Sequence, residues 1–361
     1  MEATRMAQNH SAIMIFGRWR TKMAAAAPSS PAPTAGSVVA GHDGGPEWEV
    51  RTKASFQSRR EGSVWYRRWA PQSKAVAMLF IAHGLHSHSG RWSKLAHHYT
   101  EKGYVVFAND HIGHGLTVEA VEGGGTNSGM VQDHSRMTDD FTEFVAKMVD
   151  QEEDKTLPVM ILGHSMGALV ATVSATTLTE HAAVGPRVKK LALSGCPIVP
   201  GPGSASPFGL RCLYPINRAS GLVRRLSGML ARMDPGGPAA PLDQGALSSD
   251  PEVKPEAAVD PLMVKGSVRN KTAFEVLKLV QVAKQSACKV SVPVLLIHGG
   301  DDDMAYPSGA EEMKSLLTGS SSVNLEVYDG VLHEVLKHKS EFKTVVAALD
   351  RHWGDVAAMT V

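Results

Sequence analysis

Ser165 stands between two glycines in the run Gly163-His164-Ser165-Met166-Gly167, after an apolar stretch that begins at Pro158 and before a helix-prone segment. The spacing reads as strand, sharp turn, helix. A turn that tight admits only glycine on either side and lifts the serine hydroxyl above the strand end, so Ser165 is a candidate nucleophile. The Met166 amide, at the start of the helix, would face the same point and stabilise a negative oxygen there. The same five residues also occur by chance around an ordinary serine, and it is the strand before and the helix after that set this case apart.

A serine hydroxyl needs a base within hydrogen-bond reach, itself oriented by a carboxylate. Val294 to Ile297 runs into Gly299-Gly300-Asp301-Asp302-Asp303, and Leu325 to Tyr328 runs into Gly330-Val331-Leu332-His333. The chain order Ser, Asp, His is the one α/β-hydrolases use. His333 would take the Ser165 proton and later deliver it to the leaving alcohol. A strand-end Gly-x-x-Asp counted from Gly299 selects Asp302 as its carboxylate, with Asp301 the fallback and the remaining aspartates turn or capping residues. Three adjacent carboxylates could also suggest a divalent cation, but no further ligands follow at a suitable spacing.

Other histidines compete for the base role. His164 lies inside the elbow, where its side chain points away from the serine. His83, His86 and His88 share one loop without a cysteine or carboxylate at zinc-ligand spacing. His83-Gly84 instead reads as the entry to an oxyanion-hole loop, in which the Leu85 amide would join Met166 in holding the tetrahedral oxygen.

The elements that must position these groups follow from periodicity. Glu49 to Phe56 and Ser63 to Trp69 read as two joined strands. Ala75 to Ala82, Tyr104 to Ala108, the elbow strand, Leu191 to Ser194, Val292 to His298 and Val323 to Tyr328 read as strands of a parallel sheet, several of them near-continuous apolar runs. Helical spacing appears near Trp92 to Lys102, Met137 to Val149, Lys271 to Lys284, Ser308 to Leu317 and Glu341 to Trp353, and the loop after Gly84 reads as polar and flexible. The result is an α/β fold: a mostly parallel eight-stranded sheet with helices on both faces, and function sited beyond the carboxyl ends of the strands. A long excursion from Cys196 to about Ala258 interrupts the alternation. It carries one amphipathic piece, with Leu222, Leu226, Met229, Leu230 and Met233 on one face and Arg224, Arg225 and Arg232 off it. Such a piece suits a cap over an acyl-chain pocket or a surface that rests on lipid, or a helix packed on the main domain with solvated arginines. The division expected is therefore 1–46 leader, 47–196 first part of the core, 197–265 cap, and 266–361 second part of the core.

Composition bounds the partners. Over 361 residues the formal net charge is +1, unlike a general nucleic-acid binder. No run approaches the roughly 18 apolar residues of a membrane span. The three cysteines, Cys196, Cys212 and Cys288, form no ligand or disulfide pattern, which fits a reducing, cytoplasmic compartment. The leader is rich in Ala, Pro, Ser and Gly and lacks acids between Ala3 and His42, as in an organelle transit peptide or a plain extension with a restart at Met23. No Gly-x-Gly-x-x-Gly follows an early strand, and the chemistry requires no cofactor and no metal. A serine at the elbow also excludes hydrolases that need a carboxylate nucleophile there.

With His83-Gly84, His88-Ser89-Gly90-Arg91, Asp110-His111-Ile112-Gly113-His114-Gly115 and the elbow motif added to Asp302 and His333, the chain from about Glu49 to Trp353 resembles the monoacylglycerol lipases of the α/β-hydrolase superfamily. The segments around Asp260-Pro261-Leu262 and Asn270-Lys271 look like the lower edge of that family's cap. The resemblance implies a serine hydrolase that cleaves a monoacylglycerol to glycerol and fatty acid under a membrane-touching cap. It carries the triad onto Ser165, Asp302 and His333, the oxyanion hole onto Leu85 and Met166, and a role in loop support or head-group contact onto Arg91. Ser87 stands where the family has a glutamate that helps bind glycerol, Leu336 where it has a second histidine, and Ala257 near a cap tyrosine. A lysophospholipid or another fatty-acyl ester is the alternative substrate, and a non-catalytic lipid-binding protein on this fold is the third reading.

Overall fold

The computed structural model describes residues 51–60, 62–118, 128–199, 220–242, 247–251 and 253–359, all within the unit Ser37–Val361. The leader at 1–46, the first strand residues before 51, and part of the cap at 200–219 and 243–246 lie outside the described residues.

The apolar runs form the strands they predict, because a strand covered on both faces has no reason to alternate. In chain order these are β1 (Arg51–Gln57), β2 (Ser63–Trp69), β3 (Ala77–Ala82), β4 (Tyr104–Asn109), β5 (Val159–His164) and β6 (Val188–Ser194). After the excursion come β9 (Val294–Gly299) and β10 (Val323–Tyr328), and every residue of β3, β4, β5 and β9 is buried. The eight strands lie in the order β1-β2-β4-β3-β5-β6-β9-β10, with β2 antiparallel to both neighbours and the remaining pairs parallel. The order reverses at β3: the chain steps outward to β4 and returns on the other side as β5. Ligand crevices in such sheets open above that reversal point.

Two apolar layers sandwich the sheet. On one face lie α2 (His134–Gln151), α3 (Met166–Thr179), α6 (Asn270–Ala287) and α7 (Pro307–Leu316), with Phe141, Phe144, Leu169 and Leu279 in the core. On the other lie α1 (Ser93–Glu101) and α8 (Phe342–Trp353), which bury Leu95, Tyr99, Leu349 and Trp353.

The excursion between β6 and β9 holds α4 (Ser220–Met233), β7 (Pro238–Pro241), α5 (Val253–Val259) and β8 (Ser267–Arg269). β7 and β8 form a small antiparallel ribbon that joins residues on both sides of the boundary expected at 265. Helix α4 packs on α6, with Gly228 against the Phe274 ring. Met229 and Met233 nevertheless stay exposed, as do Arg224, Arg225 and Arg232. No helix among the described residues is long and apolar enough to cross a membrane.

The loop after β3 departs from expectation. It is polar in composition, yet His86, Ser87, His88 and Ser89 are buried. Its polar groups are drawn inward by partners that no local pattern reveals: Val264 N donates to the His86 carbonyl at 3.1 Å, and Ser89 N donates to Asp110 at 2.7 Å. His88 meets Asp260 at 2.8 Å, which ties the lower edge of the excursion to the same loop.

Candidate active site

The elbow is formed as its glycines require. A Cβ on Gly167 would collide with the Ala82 carbonyl oxygen, so α3 can start this close to β3 only without a side chain there. Ser165 itself has φ 55° and ψ −124°, a left-handed backbone that costs a non-glycine residue roughly 1–3 kcal/mol and persists because the surroundings hold it. Its amide donates to the Ser194 carbonyl at 2.8 Å, fastening the turn to β6.

The loops after β9 and β10 are joined to each other, since Asp301 N donates to the Val331 carbonyl at 3.1 Å. They bring together residues far apart in the chain. His333 Nε2 lies 2.8 Å from Ser165 Oγ, and His333 Nδ1 lies 2.7 Å from Asp302 Oδ2. Asp301 and Asp303 are exposed, whereas Asp302 is buried. The second oxygen of Asp302 accepts from the Met304 and Ala305 amides at 2.8 and 2.9 Å, which fixes the carboxylate plane. Burial alone would raise the Asp302 pKa, but the charge of His333 and the contacts of His298 outweigh it and hold the carboxyl well below the usual range. His298 lies 3.1 Å from Asp302 and hydrogen-bonds the Ala305 carbonyl at 2.9 Å. It is a supporting residue that sequence reasoning missed, although its place near the end of β9 was a usable signal.

Met166 opens α3, where the first amides of a helix have no partner inside it. Leu85 follows β3, the strand beside β5, and Gly84 approaches the serine so closely that an added Cβ would lie 3.1 Å from Ser165 Cβ. His164 does not reach the serine. Its ring packs 5.1 Å from that of His333 and 5.7 Å from Trp92, and burial lowers its pKa far enough to keep it neutral beside the base.

Arg91 is fully engaged. Its two terminal nitrogens meet the Glu334 oxygens at 2.7 and 3.2 Å, and Lys337 adds a second cation at 2.7 Å. Burial alone would raise the Glu334 pKa, but Lys337 and Arg91 hold it well below the usual range, while burial pushes Lys337 down to about 8. Of the two roles expected of Arg91, this geometry supports holding the loop that carries His333. Sequence reasoning missed Glu334, because its partner Arg91 lies 243 residues away, and with it Lys337, whose role depends on that pair. Ser87 is buried with its hydroxyl unpartnered among the described residues, and Leu336 and Ala257 are buried apolar positions. Among the described residues one group of acids and histidine converges elsewhere, Asp133, His134 and Glu275, but Glu275 already holds Lys271 and Lys278 and Asp133 holds Arg60.

A doubly wound sheet with a serine on a strained strand-to-helix turn, below a histidine and an aspartate from later strand ends, defines an α/β-hydrolase. The chain belongs to the Hydrolase_4 family, serine aminopeptidase S33, which matches residues 73–340. It is similar to the monoacylglycerol lipase of Mycolicibacterium smegmatis, 29% identical over 293 residues covering 81% of this chain and 93% of that one. The monoglyceride lipase of Homo sapiens is 28% identical over 77% of this chain and 82% of its own. In fold it is similar to a soluble variant of monoglyceride lipase from Saccharomyces cerevisiae solved with a substrate analog, with a TM-score of 0.68 at 22% identity over 87% of this chain and 97% of that one.

Proposed function

We propose that the protein hydrolyses the ester of a single-chain acylglycerol through an acyl-enzyme on Ser165. The observation that carries this reading is the unbroken relay from Ser165 Oγ to His333 Nε2 at 2.8 Å and from Nδ1 to Asp302 at 2.7 Å. His333 removes the hydroxyl proton as Ser165 attacks the carbonyl carbon, and Asp302 stabilises the imidazolium that forms. The Leu85 and Met166 amides receive the tetrahedral oxygen. His333 then protonates the departing alkoxide, and water repeats the cycle on the acyl-enzyme to release the fatty acid.

The names of the relatives support the acylglycerol. The exposed Met229 and Met233 on the helix that carries Arg224, Arg225 and Arg232 support collection of substrate from a lipid surface.

Competitive hydrolysis of monoolein, lysophosphatidylcholine and an aminoacyl arylamide tests the reading. Monoolein should turn over fastest, and Ser165→Ala should lower its rate by at least about 10³-fold. Preference for the lysophospholipid would reassign the head group, and preference for the arylamide would overturn the ester reading.

A further inference from the structure

We infer that His83 is the residue that aims the Leu85 amide into the oxyanion hole, by holding the Gly84 carbonyl from behind as a neutral imidazole locked with its proton on Nδ1. The inference rests on the ester-hydrolase reading above.

The hydrogen bonds fix the tautomer without reference to pH. The His111 backbone N–H points at His83 Nε2 from 2.9 Å, and a backbone amide can only donate, so Nε2 carries no proton. The ring proton is therefore on Nδ1, which lies 2.8 Å from the Gly84 carbonyl oxygen and donates to it. Gly84 C=O and Leu85 N–H belong to one planar trans peptide, in which the two groups point in opposite directions. Holding the oxygen on the His83 side turns the Leu85 hydrogen the other way. Gly84 lies against Ser165, and having no Cβ it leaves room for the peptide to sit there.

The surroundings keep the imidazole neutral. His83 is fully buried, and the rings of His111 and His114 lie 4.4 and 5.4 Å from it. Burial first, then the neighbouring His111, His114 and His88, push its pKa well below the ordinary histidine value. A charged His83 would put a proton on Nε2 against the His111 N–H and break the lock.

One rival holds the same peptide. Ser87 N donates to the Gly84 carbonyl at 3.3 Å, closing a turn that could suffice alone. Steady-state hydrolysis of p-nitrophenyl butyrate by the full chain separates the two. For His83→Leu, kcat should fall by about 30- to 300-fold with KM within about twofold, since an oxyanion donor acts only on the transition state. His83→Asn, whose amide reaches the Nδ1 position, should recover at least about tenfold of that loss. Unchanged kcat in His83→Leu would assign the alignment to the turn, and an equal loss in His83→Asn would show that a donor at the Nδ1 position is not what aligns the peptide; either result overturns the inference. Should His83→Leu fail to fold, ¹⁵N-histidine NMR of the wild-type protein decides: a neutral Nδ1–H ring from pH 5 to 9 is expected, and an Nε2–H or titrating ring contradicts it. A wild-type enzyme inactive on every ester would instead indict the functional reading and leave the NMR result standing.

Discussion

At the scale of single residues, the site depends on one imidazole having its two nitrogens in different roles. His333 can accept from Ser165 only if its other nitrogen carries the proton, and Asp302, 2.7 Å from that nitrogen, enforces this. Asn at 302 would keep the oxygen that accepts from Met304 and Ala305 but turn an NH₂ toward His333 Nδ1, imposing the wrong tautomer. Asp302→Asn should therefore lose about 10⁴-fold in kcat. Steady-state kinetics checks this, and a loss smaller than about tenfold would mean that the aspartate does not orient the base. Among three consecutive aspartates, the chemistry was legible in sequence through the Gly-x-x-Asp register. The engagement of Arg91 by Glu334 was not, because a pair 243 residues apart leaves no periodic trace in either segment.

At the scale of elements, the long helices of one face are joined by charge as well as by packing. Glu275 on α6 is almost fully buried and binds Lys271 and Lys278 on its own helix and His134 at the start of α2. Burial alone would raise its pKa, but these partners outweigh it and hold the carboxyl at about 2. A carboxyl depressed in the folded state contributes stability that is whole above its unfolded value of about 4.5 and is lost as pH falls through the folded value. After discounting for the partly exposed lysines, that contribution is on the order of 2 kcal/mol. Unfolding free energies of wild type and Glu275→Gln, taken from urea titrations, should thus differ by this amount at pH 7 and converge as the pH drops from 4.5 toward 2. A gap that persists undiminished at pH 2.5 would show that the carboxylate contributes through packing alone. The strands were legible in sequence because burial on both faces leaves continuous apolar runs. The β7–β8 ribbon was not, since a four-residue strand bounded by prolines, Pro238 and Pro241, presents neither alternation nor length.

At the scale of the whole molecule, the sheet turns distant sequence into one surface. β3, β5, β9 and β10 deliver Leu85, Ser165, Asp302 and His333 to the same edge, at the reversal of strand order between β3 and β5. This convergence could be anticipated from motif order, because each functional residue sits just past an apolar run. The inward fold of the histidine-rich loop could not, because Val264 and Asp260, which hold it, come from the far side of the excursion. Hydrolysis at this edge requires Ser165 to be a nucleophile activated by His333. Intact-mass spectrometry with peptide mapping after treatment with a fluorophosphonate tests this directly. One phosphonyl adduct per chain is expected, on the peptide containing Ser165, formed at least about 10²-fold more slowly in His333→Ala. An unlabelled protein, an adduct elsewhere, or equal labelling without His333 would contradict it.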